Sequence, residues 1–349
     1  MNYPPPSLDF IKVLTDDTGI IQHAKFRTPR LKDGYTTDDN ARALIALTKC
    51  FQILNNSEDL IRLIDIYLRF LLLMQKSNGR MHNVLDHARQ FADEEGSEDS
   101  MGRTLWSCGY VTESNLSKER CLLAKEIFDR LLPSLMTFNS PRALAFSVLG
   151  LARYQKAFRK DPNPTKNMRV LVDKLMENYK VHNSRGWEWF EPNLTYCNGR
   201  LPQALLEAYE LTADKEIVEV AVESLNFLIK IQVIDGVFVP IGNHGWYERG
   251  GRKAIYDQQS VEAASMTEAA LSAYRITGKS YYKEVAKTIF NWFFGKNSLG
   301  VQVYDSKTGA CYDGITAQGL NLNMGAEATV CFLSARSDFD MPKSILSSS

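Results

Sequence analysis

Two kinds of helical text alternate along this chain. The first kind opens on small residues mixed with an acid, an amide or an arginine, then runs on in apolar residues with few charges. It occurs as Tyr35-Thr-Thr-Asp-Asp-Asn-Ala-Arg-Ala-Leu44, Asp99-Ser-Met-Gly-Arg-Thr-Leu-Trp106, Ser140-Pro-Arg-Ala-Leu-Ala-Phe146, Asn198-Gly-Arg-Leu-Pro-Gln-Ala-Leu205, Asp257-Gln-Gln-Ser-Val-Glu-Ala-Ala264 and Asn321-Leu-Asn-Met-Gly-Ala-Glu327. The recurrence, at roughly 40 to 65 residues, is about one helical hairpin of an α-repeat architecture. The second kind is amphipathic, with apolar residues at i, i+3, i+4 and i+7, and covers 57–75, 117–136, 165–182, 214–232 and 280–296. The pattern predicts inner helices packed all round and outer helices with one wet face. Residues 7–14 would supply the sixth outer helix and close a ring of six hairpins.

The links are asymmetric. Inner-to-outer links are short, as at Asn55-Asn56, Thr212-Ala213 and Thr277-Gly278-Lys279, whereas 76–98, 183–197, 233–256 and 297–320 are long. Loops of that length in a compact fold are usually functional, and these all lead into inner-helix starts. Asp235-Gly-Val-Phe-Val-Pro240 and Gly300-Val-Gln-Val-Tyr-Asp305 read as short hairpins walling a cleft. The third hairpin has only Arg142 and a short link, so its sector is expected to be the open side.

Composition narrows the chemistry. The 349 residues carry 41 basic and 41 acidic side chains, which argues against a nucleic-acid binder and a polybasic membrane anchor. No run approaches eighteen apolar residues, so no membrane span is expected. The start, Met1-Asn-Tyr-Pro-Pro-Pro6, has no secretory character. The six cysteines have no close metal spacing; Cys50, Cys108, Cys121 and Cys331 read as buried thiols of a cytoplasmic protein.

Gly34-Tyr-Thr-Thr-Asp-Asp-Asn-Ala-Arg-Ala-Leu44, Trp187-Glu-Trp-Phe-Glu191 and Gly319-Leu-Asn-Leu-Asn-Met-Gly-Ala-Glu327 resemble segments of the (α/α)6-barrel, six-hairpin glycosidase superfamily. More narrowly, they resemble a bacterial group found alone, or fused to or encoded beside glycosyltransferases and mannoside-processing enzymes. The resemblance runs from about Gly19 to Arg336. It implies an all-α (α/α)6 toroid filling residues 1–349 as one domain, with a disordered tail from about 337. It also implies carbohydrate handling, without fixing a substrate, and a possible glycosyltransferase partner.

The candidate chemistry sits at the inner-helix starts. Asp38, Asp39, Asn40 and Arg42 open the first; one aspartate is expected to cap the helix, leaving Asp39 for substrate. Trp187 and Trp189 beside Glu191 suit a pyranose site, or else plug the barrel rim. Gln258 and Glu262 share a helix face next to Asp257, and an inward Glu262 would gain pKa as a general acid does; the bland alternative is a structural carboxylate paired with Arg42, Arg103 or Arg200. Asp313, Tyr312, Asn321, Asn323 and Glu327 repeat the logic on the last hairpin. Arg103 with Trp106, and His244 with Trp246, complete the expected substrate contacts.

Histidines separate enzyme classes. Only His23 and His244, of five, sit in motif-like loops, and no zinc spacing occurs, so neither metal nor cofactor is expected. The reading is an inverting glycoside hydrolase acting on short oligosaccharides, drawing its pair from Asp39, Glu191, Asp257, Glu262, Asp313 and Glu327. Glu262 is taken as acid and Asp39 as base. A sugar epimerase or isomerase would need His23 and His244 in one cavity. A non-catalytic glycan-binding partner of a glycosyltransferase would lack a carboxylate pair spanning a bond. A lyase on uronates suits an acid-rich pocket poorly.

Overall fold

The computed structural model describes residues 3–53 and 57–340. The Asn55-Asn56 link and residues 341–349 of the expected tail lie outside them. Twelve α-helices occur among the described residues. The inner set is α2 (Thr37–Phe51), α4 (Glu98–Glu113), α6 (Pro141–Ala157), α8 (Arg200–Thr212), α10 (Ser260–Thr277) and α12 (Ala326–Asp340). The outer set is α1 (Asp9–Leu14), α3 (Glu58–Met74), α5 (Lys118–Leu131), α7 (Asn163–His182), α9 (Lys215–Gln232) and α11 (Ser280–Phe290). Each inner helix packs on the next in chain order, and α12 returns to α2, so the ring closes as an (α/α)6 barrel. The short α1 packs on α12 as the sixth outer member.

Burial follows the two kinds of text. Helix α10 is buried continuously from Ser260 to Ala270, because Ala and Ser let neighbours approach from every side. Helix α9 buries Ile217, Ala221, Ser224, Leu225 and Leu228 while Glu216, Glu219 and Glu223 face solvent. The outer helices α5 and α11 end earlier than periodicity suggested, at Leu131 and Phe290, each passing into a 3-10 turn. In α5 the cause is Pro133, which has no N–H for a helical bond. Helix α12 runs to Asp340, so 337–340 are helical rather than tail. Its start lies at Ala326; Asn321 belongs instead to a strand, Gly319–Asn321.

The long links carry short antiparallel pairs. Val233–Ile234 pairs with Val237–Phe238, and Tyr304–Asp305 with Ala310–Cys311, in both expected hairpins. Gly314–Thr316 pairs with Gly319–Asn321 and also with Gln258–Gln259, tying the last link to the start of α10. Asn193–Leu194 pairs with Tyr247–Glu248 across two links. Of these, only the Gly314–Thr316, Gly319–Asn321 and Gln258–Gln259 strands line the space at the inner-helix N-termini; neither expected hairpin does among the described residues.

Close packing of α4 on α6 depends on glycine. A Cβ on Gly150 would stand 2.6 Å from the Leu105 carbonyl carbon and oxygen, backbone atoms that cannot rotate away. Gly150→Ala is therefore expected to cost about 1–3 kcal/mol by overpacking, read from urea unfolding. A neutral result would mean that α4 and α6 do not meet this closely.

Candidate functional site: a carboxylate-lined cavity at the inner-helix starts

The N-terminal ends of the inner helices surround a cavity of about 660 Å³, within the size of small-molecule sites, roughly 300–1,000 Å³. Helix α2 brings Asp38, Asp39 and Arg42 to it, α4 brings Asp99 and Arg103, and the turn into α8 brings Tyr196 and Cys197. Asp257, Gln258 and Val261 come from the start of α10, Glu327 from α12, and Asp313 and Asn321 from the last link. Trp246 and Asn243 reach in from the 233–259 link, and His23 from the link before α2. No residue of α6 lines it among the described residues; that sector is cut off rather than open.

Two arginines set the charge balance. Arg42 binds Asp38 at 2.7 Å and Glu327 at 2.6 Å, and Arg103 also pairs with Asp38. Burial works against the charge of Asp38, but the Arg103 and Arg42 guanidiniums overcome it and hold its carboxyl below the ordinary range. Asp39, one residue on, behaves oppositely. It is 4% exposed; burial dominates, Arg42 opposes it only in part, Asp38 and Glu327 add repulsion, and the carboxyl is pushed up to about 7. The helix cap is neither aspartate: Thr36 Oγ1 accepts the Asp39 N–H at 3.0 Å and donates to Asp39 Oδ2 at 2.8 Å.

Asp313 accepts the Gly325 N–H at 2.6 Å, and burial raises its carboxyl above the usual value. Asp257 is half-buried on the cavity wall, and among the described residues its carboxylate makes no hydrogen bond or ion pair. Asp99 accepts the Tyr196 hydroxyl at 2.7 Å and the Ser140 hydroxyl at 2.9 Å. Tyr196 and Trp246 stand 6.4 Å apart as aromatic walls. Trp246 holds a left-handed backbone at φ 55°, strain of a kind that clusters at functional sites.

Other expected contacts lie elsewhere. Glu262 is 1% exposed, behind the wall: its Oε1 accepts the Cys197 N–H at 2.5 Å and its Oε2 the Asn198 amide at 3.4 Å. It therefore braces the turn into α8. None of the three arginines weighed for it is its partner. Glu191 pairs with Arg142 at 2.7 Å. Trp187 and Trp189 are buried; Trp187 donates to the Glu191 carbonyl at 2.8 Å and packs edge-on to Phe227 and Tyr247, which makes this segment a plug. Trp106 is buried under the Arg200 guanidinium, 4.6 Å from its ring centroid. Asn40 is buried, accepting the Ile20 N–H and donating to the Thr36 carbonyl. Asn323 accepts the Phe26 N–H at 3.0 Å, Tyr312 packs on the core, and His244 is exposed outside the cavity. Gln258 lines the cavity but is held by Trp292 and Ser298. Sequence reasoning missed Tyr196 and Asn243; an aromatic just before an inner-helix start was the available signal for the first. Among the described residues, no group of three His, Cys, Asp or Glu is arranged to hold a metal ion.

No family model matches the chain, and no curated protein matches it. Solved structures share its fold. Cellobiose 2-epimerase from Bacillus thermoamylovorans aligns at TM-score 0.74 and 14% identity, over 96% of this chain and 95% of the other. A D-mannose isomerase aligns at 0.72 and 13%, over 95% and 93%. A GH76 α-mannanase from Bacteroides thetaiotaomicron aligns at 0.60 and 15%, over 89% and 88%. At these identities the likeness is one of fold: an (α/α)6 barrel shared with epimerases, isomerases and glycoside hydrolases.

Burial also pushes the Glu262 carboxyl up to about 7, against the Cys197 N–H and Arg142. A carboxyl that titrates higher in the fold than in the open chain binds extra protons when folded, so stability falls as pH rises through that interval. For Asp39 and Glu262 the interval runs from their ordinary values of 3.8 and 4.5 to about 7. Glu262→Gln keeps an acceptor for Cys197 and removes one titration. The thermal midpoint of the native chain should fall between pH 5 and 8, and that of the variant should fall less. Equal slopes would mean that Glu262 does not titrate in this window.

Proposed function

We propose that the chain is a glycoside hydrolase acting on short oligosaccharides, with Asp39 as proton donor and Asp257 as the base that activates water. The observation carrying this reading is the contrast between two carboxyls of one cavity. Asp39 is buried and titrates near 7, so it is available as an acid. Asp257 is half-buried, lines the same cavity and has no partner of its own among the described residues. They rise from α2 and from the start of α10, two places apart in the ring. An inverting pair needs about 6.5–9.5 Å to admit water, and non-adjacent helices favour that spacing over neighbours on one turn.

In this mechanism the sugar ring lies against Trp246. Asp39 gives its proton to the glycosidic oxygen as the bond to the anomeric carbon breaks, and Arg42 faces the carboxylate left behind. Asp257 takes a proton from the water that attacks that carbon from the other side, and exchange with solvent resets both groups. The role expected of Glu262 thus passes to Asp39, because Glu262 is hydrogen-bonded behind the wall. The motif resemblance favours a bacterial, cytoplasmic setting beside a glycosyltransferase, and the six free thiols accord with it.

A second reading, epimerisation or isomerisation of a sugar, is favoured by two of the aligned structures. Paired histidines would support it; His23 lines the cavity and His244 does not.

Asp39→Asn and Asp257→Asn should each lower turnover by about 10²–10⁴-fold, the range of general acid–base assistance, on a panel of α-mannosides, β-mannosides and β-glucosides scored by new reducing ends. The native rate should decline above about pH 7, where Asp39 loses its proton. Conversion of cellobiose or mannose without new reducing ends, with solvent deuterium entering the sugar, would replace hydrolysis by epimerisation or isomerisation. An inactive native enzyme on the whole panel would remove the hydrolytic reading.

A further inference from the structure

The link before α6, residues 132–140, is the short one, yet the cavity does not spill out over α6. What closes it is a side-chain bridge. The Tyr196 hydroxyl, from the turn before α8, donates to Asp99 Oδ2 on α4 at 2.7 Å, spanning the start of α6. The other oxygen of Asp99 accepts the hydroxyl of Ser140, the N-cap of α6, at 2.9 Å. Tyr196 is itself held from below: Arg142 Nε donates to its carbonyl at 2.5 Å, and the guanidinium lies 4.8 Å from its ring centroid. Both Tyr196 and Asp99 line the cavity. Beyond them Asn139 is exposed, and Ser140 and Pro141 are half-buried.

We propose that the Tyr196–Asp99 hydrogen bond is a removable wall that ends the sugar cavity on the α6 side and so limits the length of oligosaccharide it accepts. The proposal rests on the carbohydrate reading above and adds a length limit to it. Elsewhere the lining comes from helix starts and long links, among them Asp38, Arg42, Arg103, Trp246 and Glu327. Here it is one phenol meeting one carboxylate, and truncating the phenol joins the cavity to the α6 rim, where Asn139 and the Ser140 hydroxyl offer polar contacts to further sugar units.

The test uses the full chain carrying Asp39→Asn, so that sugars bind without turnover. Ladders of manno- and cello-oligosaccharides are titrated calorimetrically into this parent and into versions with Tyr196→Ala or Tyr196→Phe. In the parent, affinity should stop rising after the short members. With Tyr196→Ala it should keep rising, by at least about tenfold for longer members, the ratio that about 1.4 kcal/mol of added contact gives. Tyr196→Phe, which keeps the ring on Arg142 and removes only the bridge, should move the same way by less. If Tyr196→Ala does not fold by circular dichroism, Tyr196→Phe decides: a gain for long chains supports the wall, and an unchanged profile overturns it. The same length profile in parent and both variants, with sugar binding intact, overturns the wall alone. A parent that binds no member of either ladder takes down the carbohydrate reading and the wall with it.

Discussion

Lys49 is a fully buried ammonium near the C-terminal end of α2, and the closed ring depends on how it is answered. Its Nζ donates at 3.0 Å to Glu268 on α10 and to Ser334 and Asp338 on α12. Burial disfavours that charge, but Asp338 and Glu268 more than offset it, so the group stays protonated. Glu268 also accepts Arg200 of α8 at 2.6 Å and the Ser334 hydroxyl at 2.8 Å. Four inner helices thus meet at one set of charges, including the α2–α12 seam where the two ends of the chain join. A buried pair adds little net stability over apolar packing, but removing one partner strands the others at about 3–5 kcal/mol. The network therefore constrains which helices must be adjacent more than it deepens the well.

The same constraint extends upward to the cavity. Arg42, Arg103, Arg142 and Arg200 all sit in or near the first turns of inner helices, where the helix dipole disfavours cations. Each is answered by a carboxylate: Glu327 and, one turn earlier on the same helix, Asp38 for Arg42, Asp38 for Arg103, Glu191 for Arg142, Glu268 for Arg200. The acids of this end of the barrel thereby fall into two groups. Some are committed to an arginine as part of the scaffold. Asp39, Asp99, Asp257 and Asp313 are not so committed; burial pushes the Asp39 carboxyl up to about 7 and raises that of Asp313, while Asp257 stands half-buried without a side-chain partner among the described residues. Such divergence within one cavity is what acid–base chemistry requires.

The ring itself was legible in the sequence because it depends on local periodicity and loop length. The inner helices lack charge for many residues in a row, the outer ones alternate, and the long links all lead into the same kind of helix start. The cavity was legible for the same reason: Asp38, Asp39, Arg42, Arg103, Asp257, Asp313 and Glu327 all line it. What sequence could not give is which acid is committed to which arginine, since the partners lie far apart: 42 with 327, 103 with 38, 142 with 191. Trp187-Glu-Trp-Phe-Glu191 shows the same limit. Aromatics beside acids suit a sugar platform and a rim plug equally, and burial against Phe227 and Tyr247 is decided by a link and a helix that come later in the chain.

Asp39 illustrates how a helix start can hold a protonated acid at all. Free N–H groups and the dipole at that position ordinarily favour the carboxylate, and an aspartate serving as cap would titrate low. Here the capping falls to Thr36, whose hydroxyl takes the Asp39 N–H, and the arginine within reach is already held by Asp38 and Glu327. Both influences that would lower the Asp39 carboxyl are thus partly used by its neighbours, and burial prevails. The pair of aspartates divides two tasks between adjacent residues: Asp38 neutralises the arginines, and that neutralisation is what leaves Asp39 free to carry a proton.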